Sequence, residues 1–340
     1  MSPQERSQWS KDFHASYTTK DLIQYALAVG FSSNNHDDEL RYTFEENHNF
    51  EAVPTFCFVL PSWASSKPDA SFSYIQPFPT PMMAHMGVIP TTCLKENTDI
   101  DSCPVIHISQ SVTWHQQIPI PSTRSPDDQN SRLKTLVSGR VVSVTPKSIG
   151  TFVETETRIR LNDDGGLLCT LSATLLVLGM DASKVIPMVK KGQTARRPCK
   201  IPNTPPKLHW SFTTTPNQAL LYRMVSGDFN TIHVDASSTA MMMVGSSSDK
   251  PILHGLCTLG IALRGLLRLL NQEEVTVVSL RAQFTKPVFL GDTLKLEAWV
   301  QDDQDTVVFR VLQEASSVVV LDRGELVFRS TKSAQSRSKL

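Results

Sequence analysis

Two titratable side chains stand five positions apart in Ser226-Gly227-Asp228-Phe229-Asn230-Thr231-Ile232-His233-Val234-Asp235. If a short loop folds Asp228 and His233 toward one pocket, carboxylate and imidazole can hold a water between them and trade its protons with a substrate. Asn230 adds a carboxamide to the same loop. The composition also suits a plain turn, because Asp, Asn and Thr favour Asx turns after a helix, and Asp235 reads as a cap for a helix over 236–243. A second stretch tips the balance. Pro251-Ile252-Leu253-His254-Gly255-Leu256-Cys257-Thr258-Leu259-Gly260 opens a long apolar helix with Gly255 in its first turn. A first-turn N–H with no Cβ beside it can donate to an oxygen that is gaining negative charge. A thioester carbonyl becomes such an oxygen when its β-carbon is attacked. Gly260 reads as a point of close helix packing, and His254 equally as a buried structural histidine.

These residues need a scaffold. Residues 20–31 predict a helix with Leu22, Tyr25, Ala26 and Val29 on one face, capped by Thr19 or Asp21 and ended by Gly30. Short apolar runs follow at 55–60 and 109–115. Strand-like runs come next at 133–144, 150–161 and 167–178, the last two joined by Asn162-Asp163-Asp164-Gly165-Gly166, a hairpin signal. Residues 186–206 carry five prolines and two basic pairs, a linker composition. The plan then repeats. A helix over 216–226 has Leu220, Leu221, Met224 and Val225 apolar, and one over 254–270 has a stripe of Leu256, Leu259, Leu263, Leu266 and Leu270. Strands are expected at 275–285, 293–300, 306–314 and 317–328. Tyr25 and Tyr222, and Gly30 and Gly227, share one offset of 197, which places Phe31 opposite Asp228 and His36 opposite His233. A helix followed by an antiparallel meander able to wrap it suggests an α+β double hot-dog, two antiparallel sheets each around a central helix. The expected divisions are 1–185 for a first hot-dog lacking the catalytic loop, 186–206 for the linker, 207–331 for the catalytic copy, and 332–340 for a flexible tail.

The two motifs, SGDFNTIHVD and KPILHGLCTLG, resemble those of the MaoC-like, type-2 (R-specific) enoyl-CoA hydratases, and in particular the hydratase part of the peroxisomal multifunctional enzyme. AQFTKPV at 282–288, YALAVGF, ELRYTFEENHNFEAVPTF and 107–112 extend the resemblance over most of the chain. It implies a reversible syn addition of water to a trans-2-enoyl-CoA, giving the (3R)-3-hydroxyacyl-CoA, with no cofactor and no metal. Asp228 and His233 would be the catalytic pair, their division of acid and base roles open. Asn230 would orient the substrate and Gly255 would donate to the oxyanion. His107, Ile108, Lys147 and Phe284 match positions lining the substrate and CoA site, and the first copy would give room to a long acyl chain. Thr231 stands where the family has proline, so the loop is less stiffened. His107-Ile108-Ser109-Gln110 stands where the family has His-Gly-Glu-Gln, and the bulkier Ile108 would reshape the acyl pocket.

The remaining sequence bounds the partners. Counts of 33 basic and 33 acidic residues in 340 argue against nucleic-acid or membrane-surface binding. Six cysteines without a C-x-x-C pair read as reduced core thiols. The start lacks an apolar leader core, and the longest apolar stretch, 167–180, is too short to cross a bilayer. Ser338-Lys339-Leu340 at the end reads as a peroxisomal address, with an import receptor as partner. An acyl-CoA thioester is the expected ligand and a homodimer an allowed assembly. Two rival classes are a hot-dog thioesterase, against which the absence of Asp or Glu in 254–270 argues, and a non-catalytic acyl-CoA binder.

Overall fold

A threonine that donates to the side chain three residues ahead stands at the start of the first helix in each half, forming a full cap only in the first. In α1 (Thr19–Ala28), Thr18 Oγ1 accepts from the Asp21 N–H at 3.4 Å, and Asp21 Oδ2 accepts from the Thr18 N–H at 2.7 Å. The cap is thus Thr18, with Asp21 completing a box in place of capping alone. Leu22, Tyr25, Ala26 and Val29 are buried, as their spacing predicts. Two short helices, α2 (Leu40–Thr43) and α3 (Leu60–Ser65), lie between α1 and the strands of the first half. In α4 (Gln218–Ser226), Gln218 Oε1 accepts from Thr215 N–H and Oγ1 at 3.4 and 3.3 Å, the same arrangement at the 197 offset. α1 and α4 are each followed by a glycine in the left-handed region, Gly30 at φ +90° and Gly227 at φ +70°. Tyr25 and Tyr222 meet between the two helices with ring centroids 6.1 Å apart. The buried face of α4 is Ala219, Tyr222 and Val225, while three of its four apolar residues named from the sequence, Leu220, Leu221 and Met224, point outward.

The computed structural model describes residues 9–10, 12–32, 39–65, 89, 91–96, 98, 103–122, 131–162, 165–189, 199–235, 250–271, 275–303 and 305–330. The expected cap Asp235 is described, but the helix over 236–243, His36 and Ser338–Leu340 lie outside these residues.

The strands are β1 (Phe13–Tyr17), β2 (Val105–Trp114), β3 (Leu133–Lys147), β4 (Gly150–Leu161), β5 (Leu167–Leu178), β6 (Met188–Val189), β7 (Leu208–Thr213), β8 (Val275–Phe284), β9 (Thr293–Val300), β10 (Thr306–Gln313) and β11 (Val319–Ser330). They form one antiparallel sheet in the order β1-β3-β4-β5-β2-β8-β11-β10-β9-β7, with β6 added to β3. The two expected sheets therefore join edge to edge. β2 pairs with β8 from Ser109↔Gln283 to Thr113↔Ser279, which satisfies two strand edges that would otherwise be left unpaired. β1 and β7, which sequence reading missed, are short outer strands with half-exposed patterns. The apolar run at 55–60 is helical: Pro54–Phe58 forms a 3-10 helix leading into α3.

The long helix α5 (Gly255–Leu269) is buried on every face from Cys257 to Leu267, not along one stripe. The sheet covers one side and α1 the other. A Cβ on Gly260 would come within 2.6 Å of Val29, and one on Gly265 would strike Trp210, so both glycines permit this enclosure. One core runs through both halves around α5, and a smaller one lies under Ile89, Cys93 and Met188 against β3–β5. Arg264 of α5 donates to Glu39 through Nε at 2.8 Å and Nη2 at 3.0 Å, a buried ion pair across the halves. At the linker, Met188–Val189 is tied to β3, and Thr204 accepts from the Trp299 indole at 2.8 Å. Among the described residues no helix is long and apolar enough to cross a membrane.

Candidate active site

Beyond Gly227 the chain folds through consecutive side-chain turns. The Asp228 N–H donates to Ser226 Oγ (3.1 Å), the Asn230 N–H to Asp228 Oδ1 (3.2 Å), and the Ile232 N–H to Asn230 Oδ1 (3.3 Å). Asn230 thereby caps a 3-10 turn, Thr231–His233. Thr231 holds its first position, where proline is readily accepted and a free N–H is not required. The loop is pinned to the segment before α5 by Ile252 N–H donating to the Ile232 carbonyl at 3.2 Å.

The result is a pair with one end of each member anchored. Asp228 Oδ1 is engaged within its own loop, and Oδ2 has no hydrogen bond among the described residues. His233 Nδ1 lies 2.9 Å from the Ile252 carbonyl, which can only accept, so Nδ1 carries the hydrogen and Nε2 presents a lone pair. Nε2 and Oδ2 are 4.0 Å apart, too far for a direct hydrogen bond and suited to sharing a water. The Asp228 side chain is 26% exposed and that of His233 9%, so the carboxylate is the more accessible member of the pair. Burial lowers the His233 pKa, Asp228 opposing it and Arg223 reinforcing it, which keeps the imidazole neutral and able to accept a proton.

Gly255 is the first residue of α5, where an N–H has no acceptor inside the helix. A Cβ there would lie 3.1 Å from the Phe284 ring, so glycine keeps the approach to that N–H open. Phe284 packs on His107 with centroids 4.8 Å apart, and the Asp228 charge reaches His107. Burial pushes His107 down to about 4, and its Nε2–H donates to the Ser109 carbonyl at 3.1 Å. Asp228, His233, Asn230, Gly255, Phe284 and His107 thus fall in one neighbourhood, the last supplied by the first half. Ile108 is the unpaired residue of a bulge between His107 and Ser109. Lys147 stands exposed at the β3–β4 turn, three strands from β2, which is about 14 Å across the sheet. Only an extended ligand would bridge that gap.

One feature was only half legible in the sequence. His254 stacks on His233 with centroids 3.6 Å apart at 22°, and Tyr222 lies tilted against the His254 ring with centroids 5.0 Å apart. Asp228, His233 and His254 offer ligand atoms within 4.8 Å of one another. Stacked rings, however, direct their lone pairs in near-parallel planes, so a shared metal ion would need one ring to turn.

Residues 15–179 match the model of the MFE-2 hydratase 2 N-terminal domain, and residues 199–321 that of the MaoC-like domain. Peroxisomal multifunctional enzyme type 2 of Drosophila melanogaster is 29% identical over 313 residues, covering 90% of this chain and 45% of that protein. The chain thus spans less than half the length of that relative. A peroxisomal enoyl-CoA hydratase 2 of Arabidopsis thaliana is 26% identical, covering 84% of this chain and 82% of its own. A MaoC-like dehydratase from Phytophthora capsici, a crystal structure, superposes with a TM-score of 0.70 at 26% identity over 95% of this chain and 96% of its own.

Proposed function

We propose, for a chain that belongs to the MaoC-like dehydratases and joins an MFE-2 hydratase 2 N-terminal domain to a MaoC-like domain, that it hydrates trans-2-enoyl-CoA reversibly to (3R)-3-hydroxyacyl-CoA. The observation that carries this reading is the 4.0 Å gap between Asp228 Oδ2 and His233 Nε2 beside the first N–H of α5. A water in that gap loses a proton to the pair as its oxygen bonds to C3. The electron pair of the C2=C3 bond moves toward the thioester, and the carbonyl oxygen gains charge that the Gly255 N–H stabilises. A proton delivered through the same pair to C2 completes the addition. The R configuration rests on kinship with hydratase 2 proteins.

In this reading 207–331 holds the chemistry, while 1–185 contributes His107 and room for the acyl chain. Ile108 and Phe284 border the acyl end, Asn230 orients the thioester, and Lys147 meets the far end of CoA. Crotonyl-CoA should lose its conjugated-enone absorbance on mixing with the protein, and chiral analysis should give the 3R product. A 3S product would overturn the stereochemistry. Release of free thiol would identify a thioesterase instead, and binding without turnover a non-catalytic acyl-CoA carrier.

Peroxisomal location is part of the proposal. Relatives carry that word in their names, and Ser338-Lys339-Leu340 matches a receptor-read address. Deleting the tripeptide, or adding one residue after Leu340, should disperse the punctate signal of the tagged full chain. A pattern that survives both changes refutes the address.

A further inference from the structure

Behind the catalytic pair lies a histidine the hydration step does not use. His254 is 2% exposed, behind the pair and away from bulk water. It contacts both members of the pair. Its ring stacks on His233, and its Nε2 lies 3.4 Å from the Asp228 main-chain carbonyl, toward which it can only donate. That tautomer leaves Nδ1 bare, and Nδ1 has no hydrogen-bond partner among the described residues. A buried unpaired nitrogen destabilises a fold, and an apolar ring would fill the same space without it. Packing alone therefore does not account for a histidine here.

The support for His254 comes from both halves. Tyr222 of α4 packs on its ring, and Tyr25 of α1 packs on Tyr222. Tyr25 in turn is wedged against Phe56 at 5.7 Å. Chemistry in the second copy is thus braced by aromatic side chains from the first. Burial and the neighbouring His233 hold the His254 pKa well below the histidine range, so it stays neutral when His233 takes a proton.

We propose that His254 is a positioning residue that fixes the two catalytic side chains at once: its ring sets the plane of His233, and its Nε2–H holds the backbone from which Asp228 projects. This deepens the hydratase reading and rests on it for its kinetic consequence, although the geometric claim can be read without turnover.

The test uses the full chain with His254→Phe, which keeps an aromatic stack but loses the donor, and His254→Gln, which keeps a donor but loses the stack. In wild type, nitrogen-15 spectra of the imidazoles should show His233 as the Nδ1–H tautomer, titrating below the ordinary histidine range. In both variants the His233 tautomer should become mixed and its titration should move upward as water reaches the ring. With enoyl-CoA as substrate, kcat should fall by about 10²-fold, the scale for sub-ångström to ångström misplacement. KM should stay within about twofold, because no substrate contact is lost. The acid limb of kcat/KM should move to higher pH. Unchanged His233 tautomer and titration in both variants would overturn the proposal, as would wild-type kcat with an unmoved pH profile. Altered spectra in a protein that hydrates no enoyl-CoA, wild type included, would sink the hydratase reading and leave the positioning role standing. Circular dichroism and thermal melts would exclude misfolding, and where Phe fails to fold, Gln carries the test.

Discussion

The two halves share a scaffold and differ at the residue after a glycine. Thr18 and Asp21 start α1 as Thr215 and Gln218 start α4, and Gly30 and Gly227 both turn the chain with positive φ. The next residue is Phe31 in the first half and Asp228 in the second. Phe31 is 2% exposed, with its ring 4.7 Å from Tyr42 and beneath the Arg264 guanidinium. Asp228 is 26% exposed and aims one oxygen at His233. One backbone device thus serves packing in one copy and presents a carboxylate in the other. The helices differ too. The fifteen residues of α5 begin at the position that, in the first half, leads into the six-residue α3. The turn geometry is common to both halves, and under the proposed mechanism a few side chains separate a supporting half from a reactive one.

The sharpest way to break this contrast is to remove the carboxylate or the imidazole. Asp228→Asn and His233→Gln should each cost at least about 10³-fold in kcat, and the double variant should be scarcely worse, because both groups act on one water. Melting temperatures should stay near wild type. Near-wild-type turnover in either single variant would remove the pair from the mechanism. In the first half the balance should invert. Glu39→Ala strands the buried Arg264 charge and should destabilise by about 3–5 kcal/mol in urea denaturation, while the kcat of the folded fraction holds. A loss under about 1 kcal/mol would mean that the halves are not tied there.

Acid should strike the seam between the halves before either half alone. His107, His233 and His254 all have pKa values lowered by burial, so unfolding binds protons that folding excludes. The unfolded value near 6.5 is the upper edge of the window: stability is full above it and falls as pH drops toward the folded values. With its folded value at about 4, His107 alone accounts for about 2 kcal/mol of loss by pH 5. His107→Phe should therefore flatten the decline in melting temperature between pH 7 and 5. An equal decline in wild type and variant would assign the acid sensitivity elsewhere.

The sequence was most informative where short-range physics decides. The hairpin strands β4 and β5 and the start of α5 at Gly255 follow from alternation and from chain punctuation. The loop from Ser226 to His233 stood out as a candidate site because a carboxylate, a carboxamide and an imidazole fall within six residues of one another. What escaped depends on partners distant in sequence. The β2–β8 junction has no local signal, since an edge strand that finds a neighbour looks like one that does not. That Leu220, Leu221 and Met224 face outward could not be told from apolar counts, which do not reveal which side of α4 meets α1. The stack of His254 on His233 required the segment at 252 to pack on the loop at 232, a contact between two irregular stretches.

The smallest effect concerns how the supporting half reaches the substrate. Ile108 occupies a bulge, and a bulge re-aims the side chains on either side of it. His107 is one of them, and its ring already borders Phe284 beside Gly255. Ile108 itself is half-buried, and its φ is not among the positive values, so the branched side chain sits there without backbone strain. Ile108→Gly removes four carbons from the wall while leaving the bulge one that glycine readily adopts. If that wall limits the acyl chain, the variant should gain a few-fold in kcat/KM on long enoyl-CoA relative to crotonyl-CoA. A pocket that loses or gains a methylene contact shifts discrimination by roughly 1–3 kcal/mol at most, and a flexible acyl chain should realise the lower end. A chain-length series from four carbons upward, run on both proteins at one pH, reads this directly. Parallel profiles would show that Ile108 does not face the acyl chain. They would also confine the first half's contribution to His107 and the aromatic brace behind His254.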